Sequence, residues 1–280
     1  MKQTQQKEAP KRRNGYYLYE NKRYLPSVST IMGSVGSSGG LINWSAKEGG
    51  KGVIHGLLQC AGADGLADRL STPACLKWAE EAAIRGLQAE QTRVQGFGSR
   101  VHLAIENYLN GSALDLVNFD EAERVAYETF VKFYEDVGFA PTSVEGIVYN
   151  EDIGYAGQVD LVATFTKHQV GKLRTYLTDY SADIQPGVIV VDFKTGTLYP
   201  KKHGVQLAAY RDAYTKTTTN RCDAGLVIGI HRDRPDKIEC IYYSGTYLDE
   251  IAEKVVPQAR AIWEYYDAPK WFKETGGLIE

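Results

Sequence analysis

The chain has 280 residues, enough for one large domain or two small ones with a core that needs no disulfide or metal staple. It is 43% hydrophobic and 24% charged with a net charge of −3, which excludes a disordered chain and a wholly basic, polyanion-coating surface. Its cysteines, Cys60, Cys75, Cys222 and Cys240, form no CxxC pair, which excludes a zinc ribbon or a disulfide framework and leaves four buried thiols in a reducing compartment.

The first fourteen residues, "MKQTQQKEAPKRRN", are polar and lack the apolar stretch of a secretory signal, so a loose tail and a cytoplasmic location are expected. No window reaches the ~18 apolar residues of a membrane span. "YYLYENKRYLPS" alternates aromatic and polar residues around Glu20-Asn21-Lys22 and reads as a hairpin ending at Pro26. Residues 33–40, "GSVGSSGG", read as a flexible loop. From 41 to 137 the pattern is helical. Thr72-Pro73 marks one helix start; a second helix spans 98–110 and stops at Gly111; a third spans 120–137 and stops at Gly138.

The apolar period then changes to two. Strands are expected at 142–150, 155–165 and 188–194, the first two joined as a hairpin through Asn150 to Gly154. A helix at 204–217, strands at 225–231 and 237–243 turning at Arg234-Pro235-Asp236, and a helix at 247–266 follow. Thr246 and Asp249 resemble a capping box for that last helix, and Pro257 should kink or shorten it. The order implies an α/β fold with a central mixed β-sheet flanked by helices and a helical N-terminal region. One domain is expected over 15–280: a hairpin and mainly helical part to 137, a β-rich core over 138–266, and a C-terminal tail over 267–280.

The strand "VIVVDFK" is the unusual element. Val188-Ile189-Val190-Val191 reads as buried on both faces, yet Asp192 and Lys194 follow on one face with Phe193 on the other. Asp160 interrupts the second strand in the same way, between Val159 and Leu161. Two readings stay open. A buried Asp-Lys pair is a weak stabiliser, because desolvation offsets attraction. Two inward carboxylates beside one lysine leave a negative charge uncompensated, and Mg²⁺ or Mn²⁺ is the natural counter-ion for converging hard oxygens. His102 lies beside an apolar stripe of Val101, Ile105 and Tyr108, where a lone histidine is usually a packing residue. Gln206 and Tyr210, at i and i+4, project together from the helix that follows the Asp192 strand, at the strand end where α/β ligand sites form.

His102 in "GSRVHLAIENYL", Asp160 in "GYAGQVDLVA", Asp192 and Lys194 in "VVDFKTG", and Gln206 and Tyr210 in "QLAAY" together resemble the PD-(D/E)XK nuclease superfamily. The branch resembled holds the RecB and AddB nuclease domains, the mitochondrial genome maintenance exonuclease and phage exonucleases. The likeness covers about residues 98–215, and "LPSVSTIM" at 25–32 resembles the opening of phage and mitochondrial members. It implies a restriction-endonuclease-like core and a metal-dependent DNA exonuclease acting on free ends in recombination, repair or phage DNA processing. A structure-specific endonuclease of the same fold and a non-catalytic DNA-binding protein are the alternatives.

By that resemblance Asp160, Asp192, His102 and the backbone carbonyl of Phe193 would hold Mg²⁺ or Mn²⁺. Lys194 would position or deprotonate the attacking water, and Gln206 and Tyr210 would contact DNA or orient the site. Glu145 and Glu106 are outer-shell candidates, with solvated surface carboxylates as the bland reading of each. Arg100, Lys201, Lys202 and Arg211 are candidates for a basic groove. Tyr16, Tyr17, Tyr19 and Tyr24 are candidates for a clamp on unpaired bases. A single-strand-binding or recombination protein is the partner such a nuclease would have. Some members of the branch bind an iron-sulfur cluster through a late cysteine trio; here Cys222 and Cys240 stand alone, so no cluster is expected. No GxxxxGK[ST] motif is present, so no nucleotide cofactor is expected. The insert 167–187 departs from a tight hairpin and reads as an extra strand pair or a flap over DNA.

Overall fold

The computed structural model describes residues 12–13, 15–20, 22–34, 49–53, 73–113, 115–179 and 183–278. They divide into two compact units, one formed by 1–36 with 101–280 and the other by 37–100. Cys60 lies outside the described residues.

The larger unit is built on a five-stranded mixed sheet. Strands β4 (Ala140–Asn150), β5 (Tyr155–Phe165), β6 (Gly187–Lys194), β7 (Ala224–His231) and β8 (Arg234–Ser244) lie in that order, each antiparallel to its neighbour except the parallel β6–β7 pair. The apolar run of β6 is central and buried, as its lack of alternation requires. One face is covered by helix α5 (Pro200–Thr218), whose Leu207, Ala209 and Ala213 pack with Val162, Val190 and Val227. Across the other face lie aromatic residues of helix α3 (Glu121–Val137): Phe130 meets Phe193 edge-on at 5.5 Å, and Phe139, just beyond the helix, stacks on Phe165 at 5.0 Å. An Asp120–Glu123 capping box starts α3 and Gly138, at φ 70°, ends it.

The N-terminal hairpin forms a separate three-stranded sheet of β1 (Arg12–Arg13), β2 (Tyr16–Tyr19) and β3 (Arg23–Pro26), turning through Glu20 at φ 46°. Ser27 then caps helix α1 (Val28–Gly33), its hydroxyl accepting from Thr30 N at 3.0 Å, while Val28 and Ile31 enter the core. These residues give "LPSVSTIM" a packing role. The loop expected at 33–40 begins after Gly33, and its residues 35–40 are outside the described residues.

Several boundaries move. The helix expected at 98–110 is the last part of α2 (Pro73–Leu109), 37 residues long, because no Pro or helix-stopping turn intervenes before Gly111. Helix α5 starts at Pro200, so Lys201 and Lys202 sit on its first turn. The β7–β8 turn falls at Arg232-Asp233, and Pro235 lies within β8. The final helix is two: α6 (Gly245–Lys254) and α7 (Val256–Tyr266), which restart at Val255 so that Pro257 occupies the second's opening turn, where its missing N–H costs nothing. Ser244, whose hydroxyl accepts from Tyr247 N, caps α6 in place of Thr246.

The insert after Phe165 is no flap at the Asp160 end. Helix α4 (Lys167–Leu173) and a 3₁₀ turn at Arg174–Tyr176 leave the opposite end of the sheet and dock on the end of α3, with Tyr176 OH donating to Asp136 at 2.9 Å. Of the expected strand pair only a single bridge, Leu177 to Cys240, is formed among the described residues. The segment 267–280, expected as a tail, carries helix α8 (Lys270–Thr275). Its Trp271 meets Tyr16 and Tyr24 edge-on, Phe272 is buried, and Gly277 accepts from Tyr24 N at 2.7 Å. Tyr17 is buried and Tyr19 packs on Tyr149, so the tyrosines expected as a clamp pack within the fold instead. Cys222 and Cys240 are buried free thiols. Among the described residues no helix is long and apolar enough to cross a membrane.

Candidate active site

The register of β5 against β6 pairs Leu161 with Val191, so Asp160 and Asp192 are the next residues across from each other where the ladder ends. The insert left that register undetermined in the sequence; the antiparallel pairing decides it. Asp192 is 2% exposed. Its Oδ1 accepts from Gln206 Nε2 at 3.1 Å, and the same amide group reaches Tyr210 OH at 3.2 Å. Its Oδ2 is paired directly with Lys194 Nζ at 2.5 Å, a charge-assisted contact, and has no other hydrogen-bond partner among the described residues. Asp160 Oδ2 accepts from Phe193 N at 2.8 Å and stands 3.9 Å from His102 Nδ1. The His102 ring meets Phe193 edge-on at 6.1 Å.

The local sequence explains the placement. Phe193 anchors the end of β6 in the aromatic layer, which turns Asp192 and Lys194 to the α5 side. Gly157 on β5 allows α5 to approach: a Cβ there would sit 2.5 Å from the Tyr210 ring. Gly157 was not read as a site residue, although a glycine inside a strand is a known signal of close approach. His203, on the turn of α5 before Gln206, was missed also; it is 5% exposed and its ring hydrogen-bonds the Thr197 backbone.

Burial dominates the electrostatics. It pushes the Asp192 carboxyl up to about 6, with the charge of Asp160 adding to the rise and Lys194 opposing it. Asp160 is raised by burial too, against the pull of Lys194 and the Phe193 amide. Burial and Lys194 lower His102, while Asp192 and the Phe193 backbone oppose, so its imidazole is neutral near pH 7. The cluster thus holds two carboxylates and one ammonium, a surplus of one negative charge when both carboxyls are ionised.

Glu145 lies opposite Asp160 in the β4–β5 register at φ 53°, a left-handed conformation unusual for glutamate. Glu106 is half-buried one turn after His102, with no hydrogen bond or ion pair to the cluster among the described residues. Lys201 and Lys202 are exposed. Arg211 is engaged internally: its Nε donates to Cys222 O at 2.6 Å, its guanidinium pairs with Asp249, and the side chain is 11% exposed. Arg100 is exposed and belongs to the unit 37–100.

Among the described residues no three His, Cys, Asp or Glu side chains form a ready metal cage. The donors nevertheless fit a hard divalent ion in kind, since Mg²⁺ is commonly held by one or two carboxylates with water and phosphate completing the shell. Asp192 Oδ2, which the Lys194 ammonium holds in the metal-free chain, is the oxygen such an ion would share.

No protein-family model and no curated protein matches the chain. Among solved structures it is similar to a crystal structure named "Putative exonuclease" from Eubacterium rectale, with a TM-score of 0.34 and 11% identity over 60% of this chain and 68% of that one. At that TM-score the likeness assigns neither family nor activity.

Proposed function

We propose that this protein is a Mg²⁺- or Mn²⁺-dependent deoxyribonuclease of the PD-(D/E)XK type that hydrolyses phosphodiester bonds from free DNA ends, in recombination, repair or phage DNA processing. One observation carries the reading. Asp160 and Asp192 face each other across adjacent strands where the β5–β6 pairing ends, Asp192 buried and Asp160 16% exposed, and among the described residues the ammonium of Lys194 alone is set against the two carboxylates. A structural ion pair would leave no such surplus, because an uncompensated buried charge destabilises the fold.

Asp160 and Asp192 would hold the ion, with the neutral His102 and the Phe193 carbonyl beside them. A bound divalent ion supplies charge neutralisation for the phosphoryl oxygens and lowers the pKa of water. Lys194, 24% exposed, would orient the attacking water as a hydrogen-bond donor, and only after giving up its own proton could it accept the water's. Gln206 fixes the Asp192 carboxylate, and Tyr210 in turn fixes Gln206. The exposed Lys201 and Lys202 would meet backbone phosphates, giving affinity that falls with salt.

The test is digestion of end-labelled linear DNA against a closed circle with Mg²⁺ or Mn²⁺. An exonuclease degrades the first and spares the second; cutting of the circle indicates an endonuclease on this fold. DNA binding without cleavage in either metal would overturn the catalytic reading. Cleavage that survives Lys194→Ala or Asp192→Ala would overturn the site.

A further inference from the structure

The segment between Lys194 and α5 carries an aromatic ring to which the cleavage chemistry gives no work. Tyr199 is 52% exposed, although the chain on both sides of it is fixed. Leu198 packs on β7: a Cβ on Gly229, the residue paired with Lys194, would lie 2.9 Å from Leu198 Cδ1. The Pro200 carbonyl accepts from Tyr243 OH at 2.7 Å, and the Tyr199 carbonyl accepts from His203 N at 2.9 Å. A single exposed ring is ordinary, but the surroundings of this one are not. Among the described residues the only ring beside it is that of His203, 6.3 Å away and tilted by 49°, so a face of the phenol is left to solvent. Tyr247, the other exposed tyrosine at the start of α5, lies nearly parallel on Tyr243 at 5.9 Å and packs over Gly204. Lys201 and Lys202 follow Tyr199 on the first turn and are exposed.

An open ring face beside two ammonium groups matches a nucleotide strand, the ring as a platform for a base and the lysines as partners of phosphates. Tyr199 precedes Gln206, which binds Asp192, by about 10 Å along the helix axis, or about three nucleotides at the ~3.4 Å spacing of a duplex strand. Bases inside a duplex stack on each other and present only their edges in the grooves, so an open ring face selects a base that is unpaired. We propose that Tyr199 stacks on an unpaired base within about three nucleotides of the scissile phosphate, with Lys201 and Lys202 on the adjoining phosphates, so that the site takes single-stranded DNA in preference to paired DNA. This inference rests on the nuclease reading for its substrate.

The test measures binding to the full chain without metal, by anisotropy of a fluorescein-labelled single strand and of a blunt duplex of the same sequence. Tyr199→Ala should weaken the single-strand complex about 5- to 150-fold, the range for losing one base–aromatic stack, and leave the duplex complex unchanged. Tyr199→Trp should restore single-strand binding. In digestion with Mg²⁺ the loss should fall on KM and not on kcat. Lys201→Ala combined with Lys202→Ala should weaken both complexes alike and flatten their salt dependence. With wild-type protein, 2-aminopurine placed at successive positions from the strand end should be quenched at one of them. If Tyr199→Ala binds the single strand as wild type does, or loses the duplex equally, the stacking role is overturned and the nuclease reading stands. Tyr199-dependent binding of the single strand without cleavage in either metal overturns the nuclease reading and leaves the stacking role. A chain that binds neither DNA overturns both. Should Tyr199→Ala not fold, the wild-type quenching decides, and no quenched position refutes the stack.

Discussion

Helix α5 faces two carboxylate clusters, and they differ in how their hydrogen bonds close. Near its middle, Asp212 Oδ2 accepts from Asn150 Nδ2 at 2.5 Å and lies 3.0 Å from Tyr155 OH, which also reaches Ala209 O at 3.0 Å. Asn150 Oδ1 in turn accepts from Ile153 N at 2.9 Å. This network ties the β4–β5 hairpin to the helix. Toward the start of the helix, Asp192 faces a second carboxylate, and its partners, Lys194 and Gln206, leave one negative charge of the pair unbalanced. Closed polar networks hold a fold, while polar groups left open mark the places where stability is given up for a ligand.

The sharpest break between the two clusters is in activity. Lys194→Ala should reduce DNA cleavage about 10²- to 10⁴-fold, the range for a positioned acid-base group, with the fold intact by circular dichroism. Asp212→Ala should do the reverse: it strands the Asn150 donor, leaves Tyr155 with Ala209 O alone, and should cost about 1–3 kcal/mol in urea unfolding, while cleavage at low temperature stays within a few fold of wild type.

A smaller effect comes from pH. A carboxyl whose pKa is raised by folding binds its proton more tightly in the native state, so its contribution to stability falls as pH rises from the ordinary value to the raised one. For Asp192 that window runs from 3.8 to about 6, and above it the cost is constant. Metal-free Asp192→Asn should therefore unfold later than wild type at pH 7, by roughly 1–2 kcal/mol, a modest gain because Lys194 loses its counter-ion. The difference should shrink toward pH 4. Asp192→Asn destabilising at pH 7 without metal would remove the distinction between the clusters. The smallest effect is outside both: Lys216 pairs with Asp152 at 2.6 Å on the surface, and Lys216→Ala should leave the unfolding midpoint unchanged.

Much of this was legible before the fold was known. The β-branched run of β6 announced a doubly buried strand, and charges at its end announced a site, because both signals are local. The i, i+4 spacing of Gln206 and Tyr210 foretold that they would act together, and their side chains do meet. His203 gave no such signal: its spacing to Gln206 was visible, but its burial depends on side chains from elsewhere in the chain. Arg211 looked like a surface cation, and only the packing of Cys222 and Asp249 around it shows it to be engaged. The N-terminal tyrosines read equally as a clamp or as packing until α8 was seen to cover two of them.

The sequence by itself determined most element types, the mixed sheet and the residues that carry charge into it, since periodicity and local spacing act over a few residues; the helices at Lys167–Leu173 and Lys270–Thr275 are the exceptions. Tertiary structure alone decided that Asp160 stands across from Asp192, that the insert docks away from them, and which polar atoms remain unbonded. Register and hydrogen-bond satisfaction are set by partners tens of residues away, and no short window of sequence contains both members of such a pair.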